Sequence, residues 1–174
     1  MLENQVIGEI VDIGCQFGFQ SEFFVDCPSY TGIDVFEHQF FNTEKEHINY
    51  VVGNFPKVGV SLENKVVFSI MSLGYFNGYI DEEEKKSLEV LVEALKDVKH
   101  LYISTTNELF NSLLPFFDTI ENILPSYCMG QQYHTFYMGK RGDRSSYPRE
   151  VSEEEKLVEG NSDELDELLS KKNM

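Results

Sequence analysis

The sequence of residues 9–34 reads EIVDIGCQFGFQSEFFVDCPSYTGID and joins a short apolar run, two glycines and a second apolar run that ends on an acid. This order predicts a strand, a tight turn, a short helix and a second strand. Gly14 and Gly18 let the backbone turn sharply and approach a ligand closely, and an acid about twenty residues after such a loop can hold ribose hydroxyls. The stretch therefore predicts a nucleotide-type binding site.

Length and composition predict one ordinary domain with a single core, since the chain has 174 residues of which 41% are hydrophobic. Its three cysteines are not closely spaced, so neither a disulfide framework nor a metal site is indicated. No basic region followed by an apolar stretch opens the chain, and no apolar run is long enough to span a membrane. We expect a cytoplasmic protein that does not contact membranes.

The charge balance argues against a nucleic-acid partner. A formal net charge of −16 would repel a phosphate backbone, because binding to nucleic acid depends largely on lysine and arginine. The one candidate for a local basic patch consists of Lys140, Arg141, Arg144 and Arg149.

Further apolar runs extend the alternation of strand and helix. Residues 65–71 are almost continuously apolar, which is typical of a central parallel strand that is covered on both faces. Runs at 48–52 and 100–104 predict two more strands, and 123–129 with 133–138 predict a closing hairpin. Helices are predicted at 18–26, with Phe19, Phe23 and Phe24 as apolar contacts, and at 36–45, 81–98 and 107–117, the last capped by Asn107.

This alternation predicts an α/β fold with a parallel sheet and helices on both faces. In such sheets the ligand lies beyond the carboxyl ends of the strands, where the strand order reverses. From residue 150 onward the composition changes to nine acids against three lysines. We therefore expect a domain over 1–149 and a flexible acidic tail over 150–174, whose leucines offer a docking segment for a partner.

The order of motifs resembles the class I S-adenosylmethionine-dependent methyltransferases. Their first motif is a strand that ends on an acid and leads into a glycine loop, and residues 11–18 (VDIGCQFG) are similar to it. The resemblance covers roughly residues 6–140. It implies a Rossmann-like three-layer sandwich whose seven-stranded sheet is mostly parallel and ends in a C-terminal antiparallel hairpin. It also implies S-adenosylmethionine as cofactor.

The resemblance assigns roles to single residues. Gly14 and Gly18 would let the loop pass the methionine moiety, Asp34 would hold the ribose hydroxyls, and Asn54 would face the adenine amine. Residues 69–72 would line the floor beneath the transferred methyl group. The implied cofactor-binding set is Asp12, Gly14, Gln16, Gly18, Asp34, Asn54, Ser69 and Ser72. Asp12 has a second interpretation, as a buried acid that caps the loop amides.

Two departures from the family pattern stand out. Gln16 occupies the middle of the loop, where the family usually has glycine, and its side chain either hydrogen-bonds the cofactor or obstructs it. No N-terminal helix is predicted before the first strand, although such a helix covers the cofactor in many relatives. We therefore expect an open site, or one that a protein partner closes.

Two functions remain after these observations. The first is a methyltransferase acting on a small molecule or a protein side chain, with no recognisable acceptor motif and unknown catalytic residues. His100 and His134 are candidate bases, although a structural or surface role is the more common one for such histidines. The alternative is a catalytically inactive interaction or regulatory protein with the same fold. A nicotinamide dinucleotide is disfavoured because the loop lacks the G-x-G-x-x-G pattern.

Overall fold

The computed structural model describes residues 8–24, 26–38, 45–70, 72–73, 82–128, 131–140 and 150–151. Within them, one seven-stranded sheet is formed by β1 Ile10–Ile13, β2 Tyr30–Asp34, β3 Ile48–Val52, β4 Val66–Ile70, β5 His100–Thr105, β6 Thr119–Cys128 and β7 Gln131–Gly139. The strand order is β3-β2-β1-β4-β5-β7-β6. The predicted seven-stranded sheet is confirmed, and β4 is central as expected from its apolar run.

The five strands β1 to β5 run parallel. Ile10 of β1 stands opposite Tyr30 on one side and Val66 on the other. The strands β1 and β4 are therefore neighbours at the centre of the sheet. From β1 the order continues to β2 and β3, and from β4 it continues to β5 in the opposite direction. The strand order therefore reverses between β1 and β4, and a crevice opens beyond their carboxyl ends.

The closing hairpin is also confirmed. β6 and β7 pair antiparallel, and β7 pairs antiparallel with β5, where His100 stands opposite Gly139. Both strands begin earlier than predicted, and a register shift between Asn122 and Leu124 interrupts the ladder. The hairpin therefore forms one edge of the sheet and leaves the parallel strands to build the crevice.

Two α-helices lie in the described residues, α1 Glu82–Leu95 and α2 Asn107–Leu113, and a 3-10 turn at Leu114–Phe116 follows the second. The predicted apolar stripe of α1 faces the core, with Leu95 fully buried and Leu88, Leu91 and Val92 half-buried against it. The main core also contains Val11, Ile33, Val67, Leu101, Ile103, Phe110, Phe117, Phe136 and Met138. This core holds the parallel strands in place beneath the crevice.

The segment after the glycine loop differs from the prediction. It forms a 3-10 helix of five residues, Phe19–Phe23, rather than a helix over 18–26. Ser21 is the one buried residue of this helix, whereas Phe19 is 58% exposed and Phe23 is 83% exposed. Neither of these two phenylalanines packs in the core, although the Phe19 ring stacks on that of Phe17, and Phe24, just after the helix, packs against the sheet.

Three smaller differences concern the connections. Thr106, not Asn107, is the N-cap of α2, and it makes no side-chain capping bond. Of the helix predicted over 36–45, residues 36–38 are not helical and 39–44 lie outside the described residues. Residues 53–65 link β3 to β4 through turns, so strand and helix alternate less regularly than expected. From residue 152 onward, the predicted tail lies outside the described residues.

Among the described residues, no helix has both the length and the apolar character needed to cross a membrane.

Candidate functional site

A cleft of about 390 Å³ opens at the carboxyl ends of β1, β2, β3 and β4. Five of the residues predicted to bind a cofactor line it, namely Gly14, Gln16, Asp34, Asn54 and Ser72. The other lining residues are Ile13, Phe17, Ile33, Val35, Phe36, His38, Gly53, Phe55 and Leu73. Asp12, Gly18 and Ser69 do not line it. The sequence-predicted residues thus divide into a cleft group and a supporting group.

Gly14 shapes the start of the loop because no other residue fits its position. Its φ angle is 75°, and a Cβ atom there would lie 2.1 Å from the Cβ of Ser72. The Gly14 N–H donates to the carbonyl of Ile33 at 2.7 Å, which ties the loop to the neighbouring strand β2. The loop backbone is therefore held close against the strands that border the cleft.

Gln16 and Asp34 are joined across the cleft wall. The Gln16 N–H donates to Oδ2 of Asp34 at 2.8 Å, and the Phe36 N–H donates to Oδ1 at 3.1 Å. Gln16 adopts a left-handed conformation with a φ angle of 48°. Its side chain is exposed, while Asp34 is 9% exposed. The protein backbone thus fixes the carboxylate at the position where β2 ends.

Sequence reasoning missed two ring-bearing side chains at this site, Phe17 and His38. Nε2 of His38 lies 3.8 Å from Oδ1 of Asp34, and the His38 and Phe17 rings meet edge to face with centroids 4.8 Å apart. Both residues line the cleft. The one signal in the sequence was proximity, since Phe17 follows Gln16 directly and His38 is four residues after Asp34.

Ser69 and Ser72 act together under the loop. Ser69 is fully buried in β4, and its Oγ lies 2.9 Å from the Oγ of Ser72. The Ser72 hydroxyl donates to the carbonyl of Ile13 at the end of β1. Ser72 therefore links the two strands at which the order reverses, and Ser69 supports it from within the sheet.

Asp12 is a structural acid in this fold. It is 5% exposed, and its Oδ2 accepts a hydrogen bond of 2.6 Å from the Tyr30 hydroxyl. Burial raises the pKa of the Asp12 carboxyl, an effect that the Tyr30 hydrogen bond partly offsets and the charge of Asp34 adds to. Its described hydrogen bond goes to Tyr30 rather than to the loop amides, so the alternative of an amide cap was wrong.

Gly18 ends the loop against an aromatic ring. Its φ angle is 77°, and a Cβ atom there would lie 2.4 Å from the Tyr50 hydroxyl oxygen. The Tyr50 hydroxyl donates to the Gly18 carbonyl at 3.1 Å and lies 3.3 Å from Oγ of Ser21. Ser21 in turn donates to the same carbonyl at 2.8 Å. These contacts hold the following 3-10 helix against β3.

The two candidate bases occupy opposite ends of the sheet. His100 begins β5, far from the carboxyl ends, and its Nδ1 lies 2.9 Å from the Tyr137 hydroxyl. Burial lowers the pKa of His100 and raises that of Tyr137. His134 of β7 stands opposite Thr105, the last residue of β5. The backbone of His134 is therefore at the cleft edge of the sheet, and that of His100 is not.

Other predicted groups lie away from the cleft. Lys140 of the expected basic patch is 3.8 Å from an Asp97 oxygen and stands over the Phe117 ring, while its three arginines lie outside the described residues. Among the described residues, no group of three or more His, Cys, Asp or Glu is placed to hold a metal ion. The cleft is lined by backbone amides, the carboxylate of Asp34, two amide side chains, the Ser72 hydroxyl, the His38 ring and apolar walls.

Comparison with solved structures finds this arrangement of strands in other proteins. The N-methyltransferase NodS from Bradyrhizobium japonicum, in complex with S-adenosylhomocysteine, aligns with a TM-score of 0.52 at 12% identity over 78% of this chain and 79% of NodS. SMU.1697c from Streptococcus mutans, also in complex with S-adenosylhomocysteine, aligns with a TM-score of 0.52 at 13% identity over 76% of this chain and 86% of that chain.

A third match is to EvdMO1, with a TM-score of 0.53 at 13% identity over 76% of this chain. This chain spans only 37% of the length of EvdMO1. No protein-family model matches the sequence, and a search of curated proteins found no match. At such low identity these similarities show a shared fold.

Proposed function

From its class I methyltransferase fold, we propose that this chain is an S-adenosylmethionine-dependent methyltransferase that acts on a small molecule or a protein side chain. The observation that carries the proposal is the convergence of Gly14, Asp34, Asn54 and Ser72 on one cleft. These residues lie at the carboxyl ends of four different strands, and the cleft lies where the strand order reverses. NodS, which has this fold, is an N-methyltransferase with S-adenosylhomocysteine bound.

The carboxylate of Asp34 suits a ribose with two free hydroxyls. An ionised carboxylate accepts about four hydrogen bonds, and backbone N–H groups of Gln16 and Phe36 supply two of them. The remaining acceptor positions match the two hydroxyl donors of the ribose. The backbone bonds also fix the carboxylate before the ligand arrives, which lowers the entropy cost of binding.

The remaining cleft residues fit the other parts of the cofactor. Asn54 is exposed at the mouth, where its side-chain amide can pair with the adenine amine, and Val35 and Phe36 provide apolar walls. Gly14 has no side chain, so the loop backbone packs directly against Ser72 at the cleft, where the methionine moiety would pass. Ser72 closes the floor between β1 and β4.

The chemistry asks little of the protein beyond alignment. S-adenosylmethionine supplies a methyl group on a sulfonium sulfur, which an acceptor nucleophile takes by direct displacement. The chain must hold the acceptor in line and keep water out of the cleft. A base is needed only if the acceptor must lose a proton, and the backbone register makes His134 the better placed of the two candidate histidines.

Calorimetric titration with S-adenosylhomocysteine, and separately with S-adenosylmethionine, tests the proposal. We expect saturable one-site binding in the micromolar range, and a loss of at least about tenfold in Asp34→Ala, because a hydrogen-bonded charged partner is removed. Glu89→Ala is the matched control, since Glu89 is an exposed acid of α1 away from the cleft. Absence of heat in wild-type protein shown to be folded would contradict the proposal.

A second candidate function, that of an interaction protein without catalysis, is favoured by Gln16. This side chain lines the cleft at a position where the related loops usually carry glycine. If it obstructs the cofactor, wild-type protein will not bind S-adenosylhomocysteine and Gln16→Gly will gain binding. If it contacts the cofactor, Gln16→Gly will lose affinity, because the contact disappears while the backbone N–H bond to Asp34 remains.

A further inference from the structure

The 3-10 helix Phe19–Phe23 buries a polar side chain and exposes two apolar ones. A short surface helix normally buries its apolar residues and exposes its polar ones. Here Ser21 is 4% exposed and points inward, while Phe19 and Phe23 are 58% and 83% exposed. Burying two phenylalanines would contribute more to stability than burying one serine, so this orientation is not explained by packing.

This orientation of the helix is held by specific contacts. Ser21 donates to the Gly18 carbonyl at 2.8 Å and lies 3.3 Å from the Tyr50 hydroxyl, which donates to the same carbonyl. Gly18 permits this approach because it has no side chain to meet the Tyr50 ring. With Ser21 fixed against β3, the residues on either side of it in the helix must face outward.

Two more phenylalanines extend this apolar surface to the cleft. Phe17 is 47% exposed and Phe36 is 69% exposed, and both line the cleft. The rings of Phe17 and Phe19 stack with centroids 5.8 Å apart, and Phe17 also meets His38. We call Phe17, Phe19, Phe23 and Phe36 the aromatic rim. Exposed apolar groups of this kind mark interaction sites, and aromatic residues are enriched at protein interfaces.

The sequence around the aromatic rim is acidic. The first 44 residues contain eight acids and neither lysine nor arginine. Glu22, Asp26 and Glu37 are exposed beside the rim residues in sequence. Lys45, the first lysine in the sequence, pairs with Glu22 at 2.7 Å. In a chain of net charge −16, a second copy would be repelled, whereas a basic segment would be attracted.

We propose that the aromatic rim is a docking surface for a basic polypeptide segment that carries apolar anchors and covers the mouth of the cleft. The apolar anchors would pack on the four rings, and the lysines or arginines would face the surrounding acids. Phe17 and Phe36 line the cleft, whereas Phe19 and Phe23 do not, so variants of Phe19 and Phe23 test the docking surface separately from cofactor binding.

Fluorescence anisotropy tests this docking with two labelled peptides, one alternating leucine with lysine and the other with glutamate in place of each lysine. We expect the basic peptide alone to bind, and the double variant Phe19→Ser, Phe23→Ser to weaken it by about tenfold or more, as for residues at the centre of an interface. Val90→Ser is the control, because Val90 is 51% exposed on α1.

The variants leave the protein charge unchanged, so a loss of affinity reports on the rings and not on general electrostatic attraction. Equal binding of both peptides, or equal affinity of the double variant and wild type, would overturn the proposal. So would a wild-type dimer in sedimentation that the double variant abolishes, since the surface would then join two copies of this chain. Titration with S-adenosylhomocysteine runs in parallel and reports separately on the cofactor site.

Discussion

The backbone N–H of Gln16 donates a hydrogen bond of 2.8 Å to Oδ2 of Asp34. This bond connects the loop after β1 with the acid that ends β2, so the shape of the loop and the position of the carboxylate are set together. It also separates two properties of Gln16, since any residue with an N–H supplies the bond and only the side chain affects the space in the cleft.

The first prediction concerns Asp34→Asn. Each carboxylate oxygen accepts one backbone N–H, so an asparagine must turn its NH2 group toward one of these two donors. We expect the free energy of unfolding to fall by about 1–3 kcal/mol, the usual effect of a buried donor left without an acceptor. Urea denaturation measures it, with Glu89→Gln as the control. Unchanged stability would show that the backbone bonds do not hold the loop.

The second prediction concerns Gly14→Ala. The φ angle of 75° costs an L-residue roughly 1–2 kcal/mol, and the overlap with Ser72 adds about 1–3 kcal/mol. Gly59→Ala is a matched control, because Gly59 has a φ angle of 68° and a Cβ atom added there would meet nothing within 4 Å. We expect Gly14→Ala to destabilise clearly more than Gly59→Ala in urea denaturation. Adding Ser72→Gly should recover part of the difference, and equal losses at the two glycines would refute the clash.

Much of the parallel sheet could be predicted because its strands are short, mostly apolar runs in the sequence. The bounds predicted for the strand at 48–52 are those of β3, and Asp34 ends β2 as expected. Parallel strands bring their carboxyl ends to one edge, so the meeting of Gly14, Asp34 and Asn54 followed from element order alone. Prediction succeeded wherever periodicity and topology determine the position of a residue.

Side-chain direction within short segments could not be predicted. The five residues of the helix Phe19–Phe23 are too few for a periodic pattern, so the inward position of Ser21 depends on the tertiary contacts with Tyr50. The same holds for His38, which reaches Asp34 only because the backbone bends after β2. The sequence pattern assigns Asp12 to cofactor binding because it gives no sign of the hydrogen bond from the Tyr30 hydroxyl, which comes from 18 residues away.

The third prediction concerns the reactivity of Cys15. This side chain is fully buried, and burial together with the charges of Asp12 and Asp34 raises the pKa of its thiol to about 12. The thiolate is the reactive form, so we expect no alkylation of Cys15 by iodoacetamide near pH 8 in the native protein and complete alkylation in urea. Peptide mass spectrometry measures each cysteine separately. Rapid native labelling of Cys15 would show that the loop opens often.

The last prediction follows from the buried pair of Asp12 and Tyr30. The pKa of Asp12 is raised above its ordinary value of 3.8 in the folded state, so the folded protein binds this proton more tightly than the unfolded chain does. The stabilising contribution of the protonated carboxyl is therefore complete below that value and is lost as the pH rises through the folded pKa.

Asp12→Asn keeps an oxygen that accepts from the Tyr30 hydroxyl and cannot ionise. In urea denaturation, the stability of Asp12→Asn relative to wild type should therefore rise with pH above about 4 and then level off. If the difference in stability between the two proteins stayed constant with pH, the pKa of Asp12 would not be raised in the folded state. Hydrogen bonds stronger than the one from the Tyr30 hydroxyl would then have to offset the burial of the carboxylate.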